Sequence, residues 1–182
     1  MRLPHILALF ASTAGLAWVA FRRLCEKRPD GAVAGTEGPW VWVELLFMAR
    51  GTEEALGMSR PRGDARWDVG VNYERLHWKV KVKSTEFTRR AESYSLNVMG
   101  PGRKPYRDQD VDFVAVYLIP RDTWYIIPYK EMVRKNGKKL CTLHFTWGSK
   151  RQKWGKYREA WWLLRGEEKP KRKGKDRPAP RG

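Results

Sequence analysis

The stretch Asp112–Pro120, DFVAVYLIP, constrains the fold more than any other. A strand with one wet face alternates apolar and polar residues. This one is almost continuously apolar, which predicts a strand covered on both faces. A layer is therefore needed on each side of its sheet. The chain has 182 residues, 42% of them hydrophobic, with 10 Trp. That is enough for one domain with a sizeable core and appendages.

The rest of the chain supplies the layers. Trp40–Leu56, WVWVELLFMARGTEEAL, carries Leu45, Met48, Ala49 and Leu56 at helical spacing and predicts an amphipathic helix despite Gly51. GMSRPRGDAR reads as a loop or short edge element. Strands are predicted at Trp67–Tyr73, from His77 to Thr85, at Glu92–Gly100, over the central run, in TWYIIPYKEM and in LCTLHFTW. KYREAWWLL reads as a terminal helix. One helix, a run of strands and later helical segments predict an α/β fold with a mixed sheet.

Trp67–Tyr73 and HWKVKVKST are separated by a tight turn at Glu74-Arg75, so they form a hairpin whose paired numbers sum to 149. Val71 then opposes Trp78, Val69 opposes Val80 and Trp67 opposes Val82. All the apolar residues share one face, which fixes the register. The other face carries Asp68, Gly70 and Asn72 against Lys79, Lys81 and Lys83. Asp68 sits opposite Lys81 and diagonal to Lys83, at Cβ distances of about 5 Å and roughly 7–8 Å. Taken alone, this is an ordinary cross-strand ion pair contributing about 0–1 kcal/mol.

The charge points to a partner. The net charge is +17. The Pro-, Gly- and Lys-rich tail, residues 166–182, carries seven Lys/Arg and three Asp/Glu, so +13 belongs to the rest. A basic body suggests nucleic acid, with an anionic membrane surface as the other class. The tail has too little apolar surface to fold and reads as disordered. Cys25 and Cys141 make neither a disulfide framework nor a zinc motif and fit a reducing compartment. His5, His77 and His144 lack metal-ligand spacing.

Leu3–Phe21 contains no formal charge and is just long enough to cross a membrane, with Arg22, Arg23, Lys27 and Arg28 behind it. Three readings stand for residues 1–28: an inner-membrane anchor with the body in the cytoplasm, a cleaved signal peptide, or a start codon called too early. Residues 29–38 read as a linker and 39–165 as the folded domain.

A helix glutamate at Glu44, a strand aspartate at Asp68, a hairpin and a strand lysine at Lys83 together resemble the PD-(D/E)XK nuclease superfamily. The order is similar to its small bacterial endonuclease domains related to intron-encoded homing endonucleases. ELLFMARG, RPRGDARWDVGV, VKVKST, GRKPYRDQDVDFVAVYLIPRDTWYIIP and YREAWWLL carry the resemblance, over roughly Trp40–Leu164. It implies a restriction-endonuclease-like mixed β-sheet core flanked by helices. It also implies a Mg²⁺-dependent DNA endonuclease, with Glu44, Asp68 and Lys83 catalytic and Asp68 and Glu44 as the metal ligands. Such chemistry needs carboxylates for the cation and an ammonium group for charge developing at phosphorus.

One position departs from the pattern. Two residues before the lysine the family places Glu, Asp or Gln; here it is Lys81, which cannot ligate a cation. The helix start, WVWVE, also lacks the acidic Gly-Glu that the family tends to have. The alternative is therefore a catalytically inactive nucleic-acid-binding domain of the same fold, and the second alternative a basic protein at the inner membrane surface. The partner expected is double-stranded DNA, with a second copy of the chain as a further one. Arg60, Arg62, Lys79, Lys81, Arg89, Arg103 and Lys104 are the candidate phosphate contacts.

Overall fold

The computed structural model describes residues 41–168 except 87, 91, 135, 150 and 151, and leaves out the side chains of 88–90 and 101. The apolar segment, the linker and the tail beyond 168 lie outside the described residues, and so do the expectations placed on them. No helix among the described residues is long and apolar enough to cross a membrane.

In chain order the elements are α1 (Val41–Glu53), β1 (Gly57–Ser59), β2 (Val69–Tyr73), β3 (Leu76–Thr85), β4 (Thr88–Arg90), β5 (Ser93–Asn97), β6 (Phe113–Leu118), β7 (Thr123–Pro128) and β8 (Thr142–Thr146). Five strands form a mixed sheet in the order β1-β2-β3-β6-β7. β6 runs parallel to β3 and antiparallel to β7. Its six residues are all buried, as the continuous apolar run requires.

Alternation along β6 and β7 sorts their side chains into two cores. Phe113, Ala115, Tyr117, Trp124 and Ile126 face α1 and the C-terminal Ala160, Trp161 and Leu164. Val114, Val116, Leu118, Tyr125 and Ile127 face the other way. There a second sheet, ordered β4-β5-β8, covers them with Tyr94, Leu96, Leu143 and Phe145. One covering layer is thus α-helical and the other is a small antiparallel sheet.

α1 buries Val43, Phe47 and Gly51, a stripe at i, i+4 and i+8. The stripe is offset from the one the sequence suggested, and Leu45 is left half-exposed. Phe47 packs between Trp124 and Trp161, each with ring centroids 5.2 Å away. Removing that ring would cost about 3–5 kcal/mol. Gly51 leaves room for the Met58 side chain, which lies where a Cβ would project.

The hairpin has the predicted register, with Val69 opposite Val80, Val71 opposite Trp78 and Tyr73 opposite Leu76. Glu74 at its tip takes φ 51°, in the left-handed region. Val69, Val71, Val80 and Val82 all enter the core under α1. Trp67 departs from the expectation. It lies outside β2, and its ring covers Gly70, where a Cβ would come within 3.2 Å of it.

The terminal helix predicted from KYREAWWLL is absent. Two short 3₁₀ turns, Gly155–Tyr157 and Trp161–Leu163, stand in its place. Arg158 bridges to Tyr125 on β7, and Glu159 takes φ 47°. The Glu159 carboxylate accepts hydrogen bonds from the Trp124 N–H at 2.7 Å and from Trp161 Nε1 at 2.9 Å. These contacts dress the outer edge of β7 and override the local helical pattern.

Candidate active-site cleft

The ladder between β2 and β3 stops at Val69 and Val80, while β3 continues to Thr85 paired only to β6 on its other side. β3 therefore has one open edge from residue 81 onward. Asp68 sits just beyond the end of β2 and carries on the pairing with both backbone and side chain. Its N–H donates to the Val80 carbonyl at 3.0 Å. Its Oδ2 accepts from the Val82 N–H at 2.8 Å.

This open edge floors a cleft of about 300 Å³ lined by Val43, Glu44, Asp68, Lys81, Val82, Lys83, Ser84, Leu96 and Asn97. The three residues that the sequence singled out, Glu44, Asp68 and Lys83, come from α1, the end of β2 and β3, and share this cleft. Glu44 lies in the first turn of α1, where the helix dipole favours a carboxylate. Arg60 Nη2 stands 3.5 Å from its Oε2. Lys81 Nζ lies 2.5 Å from Asp68 Oδ1. Both Asp68 oxygens are thus engaged by β3.

Lys83 differs from Lys81. Among the described residues no carboxylate lies within ion-pair distance of its ammonium group. Burial lowers its pKa from the usual lysine value of 10.5, the neighbouring Lys81 lowers it further, and Asp68 opposes both. Behind Lys81 stands Tyr106, whose ring centroid is 5.9 Å from the ammonium group. Burial, with help from Asp68 and Tyr129, pushes the Tyr106 hydroxyl up to about 12.

The cation expected from the resemblance meets a poor donor set. A divalent ion needs oxygen ligands. Here one oxygen of Asp68 holds an ammonium group and the other a backbone N–H, and Glu44 faces Arg60. Two lysines in the same cleft oppose a cation electrostatically. No group of three or more His, Cys, Asp or Glu among the described residues is placed to hold a metal ion. PD-(D/E)XK nucleases generally use a divalent metal such as Mg²⁺, but the residues present here, in this arrangement, do not fit one.

The candidate phosphate contacts separate into groups. Lys81 also lines a neighbouring groove of about 620 Å³, with Asp64, Ala65, Arg66, Gly102 and Lys104. Arg60 lies at Glu44. Arg62 and Arg103 are exposed on flanking loops. Lys79 is exposed but anchored away from both linings. Its ammonium group donates to the Gln109 carbonyl at 2.8 Å, and its N–H donates to Asp112 Oδ2 at 2.8 Å, which ties β3 to the loop before β6. Arg89 lies in β4, and its side chain is outside the description.

Sequence reasoning missed Asn97, Ser84 and Tyr106. Asn97 ends β5, its Oδ1 accepts from the Met99 N–H at 2.7 Å, and the residue lines the cleft. The Ser84 hydroxyl is buried without a partner among the described residues. Asn97 was visible as the last polar residue of an alternating strand. Nothing in the sequence placed that strand against β3.

No curated protein matches the chain. A bacterial homing endonuclease shares the fold with 23% identity and a TM-score of 0.57, over 69% of this chain and 90% of that one. The Holliday junction resolvase Hjc of the archaeal hyperthermophile Archaeoglobus fulgidus aligns with 15% identity and a TM-score of 0.41, over 60% of this chain and 84% of that one. Residues 43–164 match the family described as PD-(D/E)XK endonuclease, from the helix that carries Glu44 to the last buried leucine. The chain belongs to the PD-(D/E)XK endonuclease family, whose members are phosphodiester hydrolases.

Proposed function

We propose that the chain is a DNA endonuclease that hydrolyses phosphodiester bonds in the cleft between α1 and the open edge of β3. One observation carries this reading: Glu44, Asp68 and Lys83, from three separate elements, line the same cleft. In hydrolysis a water oxygen bonds to phosphorus, negative charge grows on the non-bridging oxygens, and a P–O ester bond breaks, its leaving oxygen taking a proton from solvent. Lys83, half-buried and without a carboxylate partner among the described residues, is the group for that charge, because a cation counts for more where water is excluded. Glu44 is the carboxylate that orients the attacking water and takes its proton. Asp68 fixes the open edge of β3 and positions Lys81. A divalent ion, where a family member binds one, supplies a polarised phosphate and a more acidic water. Double-stranded DNA is the substrate proposed, from the charge of the domain.

A second reading rests on Lys81. With its ammonium group seated on Asp68, the domain would bind DNA without cutting it. Nicking of supercoiled plasmid by wild type, Glu44→Gln, Asp68→Asn and Lys83→Ala, with Mg²⁺ and with EDTA, separates the two. The endonuclease reading expects nicking by wild type and a loss of about a hundredfold or more in each variant. Undiminished nicking in the variants would move the chemistry elsewhere. No nicking by wild type in either condition would leave the binding reading.

A further inference from the structure

Counted with Arg60, which stands outside its lining and pairs with Glu44, the cleft carries one excess positive charge, and the sign of that excess points to its ligand. Asp68 and Lys81 neutralise each other at 2.5 Å. Glu44 faces Arg60. Lys83 remains, in a cleft that excludes much of the solvent, with no carboxylate partner among the described residues. One carboxylate against two ammonium groups at the β3 edge leaves one positive charge. A partly buried charge without a counter-ion is costly, so the site favours an anion. A phosphodiester carries one negative charge and closes the balance. A divalent cation would add two more positive charges instead.

The spacing suits a phosphate as well. Lys81 and Lys83 are two residues apart on one strand and project to the same side. Their Cα atoms are about 6.6 Å apart. Lys83 brings the surplus charge, and Lys81, still held on Asp68 Oδ1, has further N–H donors to turn to a non-bridging oxygen of the same phosphate. Lys81 also lines the next groove, beside Lys104 and Arg66, so a strand leaving the cleft in that direction meets further cations.

We infer that Lys81 is a built-in cation standing where the family places a metal ligand, and that Lys81 and Lys83 grip a DNA phosphodiester without a divalent ion. This rests on the reading of the cleft as a DNA site and is independent of whether the bond is cut.

The test is binding of a short fluorescent DNA duplex by anisotropy, in EDTA and then in Ca²⁺ or Mg²⁺. Wild type should bind in EDTA and gain nothing from either ion. Lys81→Gln should lose about tenfold to a hundredfold in EDTA, as expected for a hydrogen bond to a charged group. Lys130→Gln, a change of one exposed charge after β7, should lose about fivefold at most. Lys81→Arg keeps the charge and should stay close to wild type, which guards against a Lys81→Gln protein that fails only because it misfolds. Lys81→Glu should bind poorly in EDTA and recover with the divalent ion, because two carboxylates then face each other. A wild type that binds only with a divalent ion would overturn the inference. So would a Lys81→Gln variant that loses no more than Lys130→Gln. A wild type that binds in EDTA but never nicks DNA supports this inference and removes hydrolysis. One that binds and nicks only with Mg²⁺ does the reverse.

Discussion

The Asp68 carboxylate spends both oxygens on β3: Oδ1 is 2.5 Å from Lys81 Nζ, and Oδ2 accepts the Val82 N–H at 2.8 Å. The pair closes the hairpin where backbone pairing stops. It is only partly buried, with side chains 12% and 20% exposed, so the full cost of breaking a buried ion pair does not apply. Asp68→Ala should destabilise the domain by about 1.5–3 kcal/mol, the value of hydrogen bonds to a charged group. Asp68→Asn keeps an oxygen for Val82 and should fall between. Urea unfolding followed by tryptophan fluorescence measures both, and a midpoint unchanged in Asp68→Ala would show that the edge of β3 holds without the pair.

Glu159 supports β7 in a way no helix would. Its carboxylate takes the Trp124 N–H and Trp161 Nε1 together. Glu159→Ala should leave both donors without this acceptor and cost about 1–3 kcal/mol. Glu159→Gln, which keeps one acceptor oxygen, should recover part of that. Thermal melts of these two variants and of Glu159→Gly distinguish lost hydrogen bonding from mere relief of the left-handed backbone, which would make Glu159→Gly the most stable of the three.

The core and the register were legible because they rest on short-range patterns. Phe113–Leu118 could only be a strand buried on both faces, and the alternation around Glu74-Arg75 allowed one pairing. Glu44, Asp68 and Lys83 were found through their order along the chain, which the resemblance supplied. What failed depended on distant contacts. KYREAWWLL has helical spacing, but β7 needed an edge partner, and Arg158 and Glu159 supply it. Lys79 is exposed as its alternation implies, but the loop before β6 folds back to accept from its ammonium group, a contact that no local pattern encodes. Asn97 entered the cleft only because the β5 layer crosses β3, which no local pattern encodes.

On the proposed function, those placements make the salt dependence of DNA binding selective. Removing one cation that neutralises a phosphate flattens the slope of log affinity against log salt by about 0.9. Lys104→Ala should show that flattening, because Lys104 lines the groove that continues from Lys81. Lys79→Ala should leave the slope almost unchanged, since Lys79 lines neither the cleft nor that groove. Its effect should appear in stability instead. Anisotropy titrations at several salt concentrations measure the slopes, and equal slope changes in the two variants would mean that the groove has no special role.

On the same reading, Lys83 would give DNA binding a pH signature. Its pKa lies below the usual 10.5 because burial disfavours the ammonium form and Lys81 repels it, with Asp68 only partly compensating. Between the folded and unfolded pKa values the native state therefore holds fewer protons than the unfolded chain, and stability rises with pH across that window. The destabilisation is fully present below the folded pKa and gone above the unfolded one. DNA binding has the opposite sign. A phosphate in the cleft favours the charged form, so affinity is full below the folded pKa of Lys83 and falls as pH rises through it, by at most about tenfold per pH unit for one proton. Lys83→Arg stays charged throughout and should remove this fall. Lys83→Met should give weaker binding that lacks it as well. Tyr106, pushed up to about 12, titrates too high to produce the same effect. Anisotropy in EDTA from about pH 7 to about pH 10 tests this against the ordinary lysine range. An alkaline fall that persists unchanged in Lys83→Arg would assign the titration to another group and take Lys83 out of the phosphate grip.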